Sequence, residues 1–243
     1  SWVTKGGIPA YLGSSFAFIS PIILISASHG GFSHAQTGFI VFGLFFIAIS
    51  FVVKKWGVRW IDVAMPPAVM GAVVAIIGLE LAPIAAQQAG LAPWPAKVGE
   101  LVQPFLMDKN VVMVSMFTLA VGIFGTVLFR GFLQVIPILI AVVAGYIFAL
   151  TKGMVNTQVI SDAAWFALPT FQAPVFDSNA IVIILPACIV VLAEHLSHLI
   201  VTSKVTGEDL MSTPGLHRSL LGDGISNRLS GVAGSPPNTT YGE

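Results

Sequence analysis

The chain has 243 residues, of which 56% are hydrophobic and only 9% charged, with zero formal net charge and a mean hydropathy of +0.90. A soluble domain carries roughly 25% charged residues to cover its surface, so a water-soluble globule is excluded. The balanced charge leaves no basic footprint for nucleic acid, and the single cysteine, Cys188, excludes an intrachain disulfide.

What remains is an all-α polytopic membrane protein. The chain opens in a loop-like "SWVTKGGIPAYLG", without an initiator methionine or a charged leader, and stops at "NTTYGE". It reads as an internal stretch of a longer protein, expected to transport nothing and to aggregate or misinsert when expressed alone. The first apolar piece, "GSSFAFISPIILISA", mixes small residues, aromatics and a proline, and is too broken for an ordinary span. Uninterrupted apolar runs follow at about 37–53, 63–79, 111–129, 132–150 and 180–193, the last extending toward Thr202. A weaker run covers about 216–232, where glycines, serines and Arg228 lower the hydropathy. The chain ends in a second broken piece, "GSPPNTTYGE".

If the spans alternate, Lys5, Lys54, Lys55, Arg59, Arg130, Lys204 and Arg218 share one side, and Lys97, Lys109 and Lys152 the other. The excess of basic residues places the first group in the cytoplasm. The long connections at about 83–110 and 151–179 then face outward, with Trp94 and Trp165 as interface anchors. Glu80 falls near the outer end of its span. His29 and His34, in "ASHGGFSHAQ", read as solvated loop residues, and the phenylalanines of "FGLFFIAISF" as packing or lipid-facing ones.

Two Gly/Pro-interrupted segments in an otherwise helical membrane protein point to a transporter site, because backbone freed at membrane depth must be buried in protein or line a cavity. The plainer alternatives are a re-entrant loop for the first and an extramembrane loop for the second. By the span count the first enters from the cytoplasm and the second from outside, as in an inverted repeat.

The costliest residues lie in "IVVLAEHLSHLIVT". Glu194 and His198 are four apart and share a helix face, while His195 points about 100° away. An ionisable residue at the bilayer centre costs on the order of 3 kcal/mol, so such a group is a functional candidate by default. A carboxylate there can carry a proton, and a neighbouring histidine can share it; a structural hydrogen-bond pair is the alternative. A metalloenzyme reading of Glu194, His195 and His198 is disfavoured, since the histidines are three apart, no Asp or Cys lies nearby in sequence, and His217, a distant candidate ligand, sits beside Arg218 at a span end. Glu243 ends a polar run that passes through Tyr241 and Gly242. Two carboxylates with unpaired backbone N–H groups suit a small planar heterocycle carrying N–H donors and carbonyl acceptors. Phe16 and Tyr241 would stack on its ring.

"GGIPAYLGSSFAFISP", "PPAVMGAVVAIIGLELA", "LFRGFL", "WFALPT", "AEHLSHL", "PGLHRS" and "GSPPNTTYGE", in that order, resemble the bacterial uracil permeases of the nucleobase–cation symporter, or nucleobase–ascorbate transporter, family. The resemblance covers essentially the whole chain. It implies fourteen segments in two inverted repeats of seven, with short β-strands in the two broken segments, and a core domain set against a gate domain. On that mapping residues 1–57 (segments three and four) and 179–243 (segment eight to the start of ten) belong to the core, 58–152 (segments five to seven) to the gate, and 153–178 form an extracytoplasmic loop. It implies inward symport of uracil with a proton across the bacterial cytoplasmic membrane, no catalysis and no cofactor, and a homodimer through the gate. Glu194 and Glu243 would bind the base, Phe16 and Gly242 would present backbone to it beside Tyr241, and His198 would couple the proton to Glu194. Xanthine or another nucleobase is the alternative cargo; an anion is disfavoured by two carboxylates at one site.

Overall fold

The computed structural model describes residues 4, 8–9, 11–28, 31–64, 66–93, 106–164, 166 and 171–241. Glu243, Gly242, Trp94, Trp165, Lys5, Lys97 and His29 lie outside the described residues. In chain order the elements are β1 (Leu12–Ser14), a 3₁₀ turn (Phe16–Phe18), α1 (Ile19–Ser28), α2 (Phe32–Trp56), α3 (Arg59–Ala64) and α4 (Pro67–Gln88). Next come α5 (Lys109–Leu128), a second 3₁₀ turn (Gly131–Val135), α6 (Pro137–Thr151), the short α7 (Gln158–Ser161) and α8 (Ser178–Thr206). A π-turn (Met211–Gly215), α9 (Leu216–Ala233) and β2 (Asn238–Thr240) complete the order.

The protein is mostly helical, and α2, α4, α5 and α8 are each long and apolar enough to cross a membrane. Two compact units divide it, residues 1–78 with 169–243, and residues 79–168.

Hydropathy located the helices better than their ends. α2 starts five residues before its apolar run, because the Ser33 carbonyl and the His34 and Gln36 side chains in its first turns bond to residues 172–177. Thr37 Oγ1 donates to Val175 O at 2.6 Å and Gln36 Nε2 to Gln172 O at 3.0 Å. His34 is therefore no solvated loop residue: its Nδ1 lies 3.1 Å from Asp177 Oδ2, and Asp177 also caps α8 by accepting from Asn179 N and Ala180 N. α4 begins later than expected, with Pro67 in the first turn, where its missing N–H costs nothing, and it continues through Pro83 to Gln88. Glu80 is thus an interior residue of α4 rather than its end, and the connection that follows starts later than expected. The 132–150 run is divided by the 3₁₀ turn, and Pro137 starts a helix of 15 residues. α9 follows the weak 216–232 run closely and ends on Gly234, whose φ of 80° is a left-handed cap.

In the 79–168 unit, α5 and α6 form a helical hairpin, with Phe117 and Phe148 in ring contact at 4.8 Å. A side chain at Gly145 would meet Thr118, so the small residue lets the two helices approach.

The other unit is built on α2. Its Phe39, Phe42 and Phe46, at helical spacing, are fully buried, and Phe42 meets Phe18 at 4.8 Å and Phe46 at 4.6 Å. Its opposite contact is with α9. Gly43 on α2 meets Gly224 on α9 backbone to backbone, since a Cβ on either would lie 2.7–2.8 Å from the other's carbonyl oxygen. Ser50 Oγ donates to His217 O across the same contact at 2.6 Å. α8 packs on α2, burying Ile184, Val191, Leu192 and Leu196.

Candidate functional site

The two interrupted segments meet as a small antiparallel sheet, with Leu12 opposite Thr240, Gly13 opposite Thr239 and Ser14 opposite Asn238. Each strand has only three residues, far below what is stable alone, so the pair depends on its surroundings. β1 passes into the 3₁₀ turn and α1. Pro21 sits within the first turn of α1, where no intrahelical N–H is required of it.

Beside this sheet lies α8. Glu194 is half-buried there, one turn before His198. His198 Nδ1 lies 2.5 Å from Thr240 O. A carbonyl only accepts, so Nδ1 carries the hydrogen and a neutral His198 keeps its lone pair on Nε2. The strand therefore dictates the tautomer of the histidine. His195 is buried and turned the other way, as its helical position requires. Its Nδ1 stands 3.1 Å from both Asp223 Oδ2 and Thr240 Oγ1, and its Nε2 is 2.9 Å from Ser219 Oγ. Asp223 is 1% exposed. Ser219 and Asp223, four apart on α9, thus grip both ring nitrogens, and Phe46 packs edge-on against the ring at 5.9 Å.

Thr240 is shared by both histidines, through its carbonyl to His198 and its hydroxyl to His195. Both Nδ1 atoms are thus taken up by Thr240, and His195 Nε2 by Ser219 Oγ at 2.9 Å, so the two rings do not converge on one point as a zinc site needs. Among the described residues no group of three His, Cys, Asp or Glu side chains is placed to hold a metal ion.

At the ends of the strands the aromatic residues gather. Phe16 and Tyr241 are nearly parallel, with 15° between planes and centroids 6.5 Å apart. Tyr11 lies 6.0 Å from Tyr241 on another side. Tyr241 Oη donates to Ser14 O at 2.8 Å, and its N–H to Tyr11 O at 2.9 Å. Gly13 lies against the Tyr241 ring, where a Cβ would collide with it. Phe16 remains 57% exposed.

Of the residues singled out from sequence, Phe16, Tyr241, Glu194 and His198 thus sit on adjoining elements of one unit. The polar support beneath them comes from Asp223, Asn227, Ser219 and Thr240. Of these only Asp223 carries a sequence signal, since "GDGISNRLSG" places an acid inside the weak span, where charge is as costly as at Glu194. Asp223→Ala should lower the stability of the complete protein in detergent by about 2 kcal/mol, since it removes the carboxylate partner of a buried ring nitrogen and leaves only the Thr240 hydroxyl to it. Asp223→Asn, which keeps an acceptor, should cost less than half of that in the same thermal unfolding measurement.

The chain matches the model of the Permease family over residues 1–243. It is 51% identical over 242 residues to a protein named uracil permease from Escherichia coli (strain K12), the match covering 100% of this chain and 54% of the relative. A uracil permease from Paenibacillus larvae is 49% identical over 242 residues, covering 100% and 56% respectively. One from Bacillus subtilis is 43% identical over 247 residues, covering 99% and 55%. The chain spans about half the length of the curated relatives it matches.

Proposed function

Since the chain belongs to the Permease family, the nucleobase–ascorbate transporters, we propose that it carries the substrate site of a secondary transporter that imports uracil with a proton across the bacterial cytoplasmic membrane. The observation that carries the proposal is the junction of α8 with the strand pair. There the helix bearing Glu194 and His198 is bonded to β2, and Phe16 and Tyr241 stand at the strand ends. Uracil offers two N–H donors and two carbonyl acceptors on a planar ring. Glu194 and Glu243 accept from the N–H groups, backbone N–H groups at Phe16 and Gly242 donate to the carbonyls, and Phe16 and Tyr241 flank the ring. Each paired contact replaces one that uracil makes with water, which gives an uncharged ligand specificity without a charge partner.

In this reading Glu194 takes up the proton and His198 tunes it. With Nδ1–H committed to Thr240 O, Nε2 is the nitrogen of His198 that exchanges a proton. Residues 1–57 and 179–243 form core-domain parts and 58–152 a gate-domain part of a fourteen-segment protein with seven-plus-seven inverted repeats, the residues between them an outer loop, and the gate carries a homodimer contact. Radiolabelled uracil uptake by cells carrying the complete gene, with and without a proton-collapsing ionophore, tests the proposal. Uptake should fall at least about tenfold with the ionophore, given that a 100 mV potential alone is worth ~2.3 kcal/mol per charge. Uptake that ignores the ionophore removes the proton, and absence of uracil uptake with xanthine uptake present replaces the cargo.

A further inference from the structure

β2 has two edges. On one, Gly13 opposes Thr239, Ser15 N donates to Pro237 O and Tyr241 N to Tyr11 O. Strand backbone alternates, so Asn238 and Thr240 turn their peptide groups away from β1. There is no third strand there among the described residues, only helix side chains.

The Asn227 carboxamide covers this second edge at Asn238. Its Oδ1 accepts from Asn238 N at 2.6 Å and its Nδ2 donates to Asn238 O at 2.9 Å. This two-point pattern is the one a neighbouring strand residue would make. The same Nδ2 donates to Asp223 O at 2.9 Å, one turn back on α9. Asn227 is fully buried, so the amide cannot trade these bonds for water. The Asn238 side chain reaches the same helix, donating from Nδ2 to Ser226 Oγ at 3.1 Å and Ser230 Oγ at 3.0 Å. Further along the same edge, His198 bonds Thr240 O.

We infer that Asn227 is a positioning residue for the substrate site, its carboxamide standing in for a third strand along β2 and so setting the place of residues 239–241. The inference rests on the proposed function for what the site binds, but not for the clamp itself. Asn227 touches no proposed ligand group. It acts through β2, whose end leads into Tyr241. Aspartate keeps the acceptor and replaces the donor with a second oxygen facing Asn238 O, and alanine removes both.

Two readouts on the complete protein test this. The first is hydrogen exchange in the peptide spanning residues 235–241, with Asn227→Asp and Asn227→Ala beside wild type. Exchange should rise about tenfold or more in N227A and less in N227D, which retains the acceptor for Asn238 N–H. The second is uracil uptake at equal amounts of protein in the membrane. KM should rise about tenfold in both variants with the maximal rate within about twofold, the signature of a misplaced binding group rather than a lost fold. Unchanged exchange and unchanged KM in both variants would overturn the inference. So would loss of both variants from the membrane, which would assign Asn227 to folding alone. If wild type takes up no uracil, the substrate reading fails, while the exchange comparison still decides the clamp.

Discussion

Glu194→Ala should abolish uracil uptake in cells carrying the complete gene, with Vmax/KM falling by about 100-fold or more at an unchanged amount of protein. A hydrogen bond to a charged group contributes about 1.5–3 kcal/mol, and truncation also leaves the uracil N–H unpaired in a dry site. At ~1.4 kcal/mol per tenfold, the two effects together exceed two decades. Glu194→Gln should fall between, because it keeps one acceptor oxygen but turns an amide donor toward the ligand and cannot carry a proton. The fold should tolerate both, since Glu194 is only half-buried on α8. Uracil uptake that persists in Glu194→Ala at wild-type rates would remove this residue from the site.

Gly43→Val should be the most damaging substitution to the fold of the unit that holds the site. The new Cβ would lie 2.6 Å from Arg228 N and 2.7 Å from Gly224 O, both backbone atoms of α9 that no rotamer change can move. α2 and α9 would have to separate, and that separation would also strain the Ser50–His217 and Gln36–Gly231 bonds across the same contact. Overpacking of a well-packed contact costs about 1–3 kcal/mol, and a backbone-to-backbone contact belongs at the upper end. Thermal unfolding of the complete protein in detergent should show a clear fall in midpoint, or the variant should fail to accumulate. A midpoint within experimental scatter of wild type would show that the contact yields easily. Because α9 carries Asp223 and Asn227, any surviving Gly43→Val protein should also bind uracil more weakly.

Both predictions concern residues that differ in how readily the sequence discloses them. Glu194 and His198 stand out because charge in an apolar run is costly wherever the chain goes. Gly43 does not: in "FIVFGLFFIAIS" it is one small residue among many, and only its partner on α9 gives it a role. His34 misled for the opposite reason. Polar residues beside a glycine pair look like a loop when the alternative partner, Asp177, lies 143 positions away.

Composition and hydropathy by themselves determined a helical, multi-pass membrane protein, the approximate centres of its long helices, and the two segments that could not be ordinary spans. Each is a local property, set by whether a stretch of side chains prefers lipid or water and whether its backbone can satisfy itself. The tertiary structure decided where helices end, because polar residues such as Gln36 and Thr37 exchange water for carbonyls of a distant segment. It also decided that the broken segments pair with each other, that His198 carries its hydrogen on Nδ1, and that Asp223, Asn227 and Thr240 bond at the junction of α8, α9 and β2. A buried polar group must find a partner, but the chain does not say which one. That choice is made only when α8, α9 and the strands come to lie side by side.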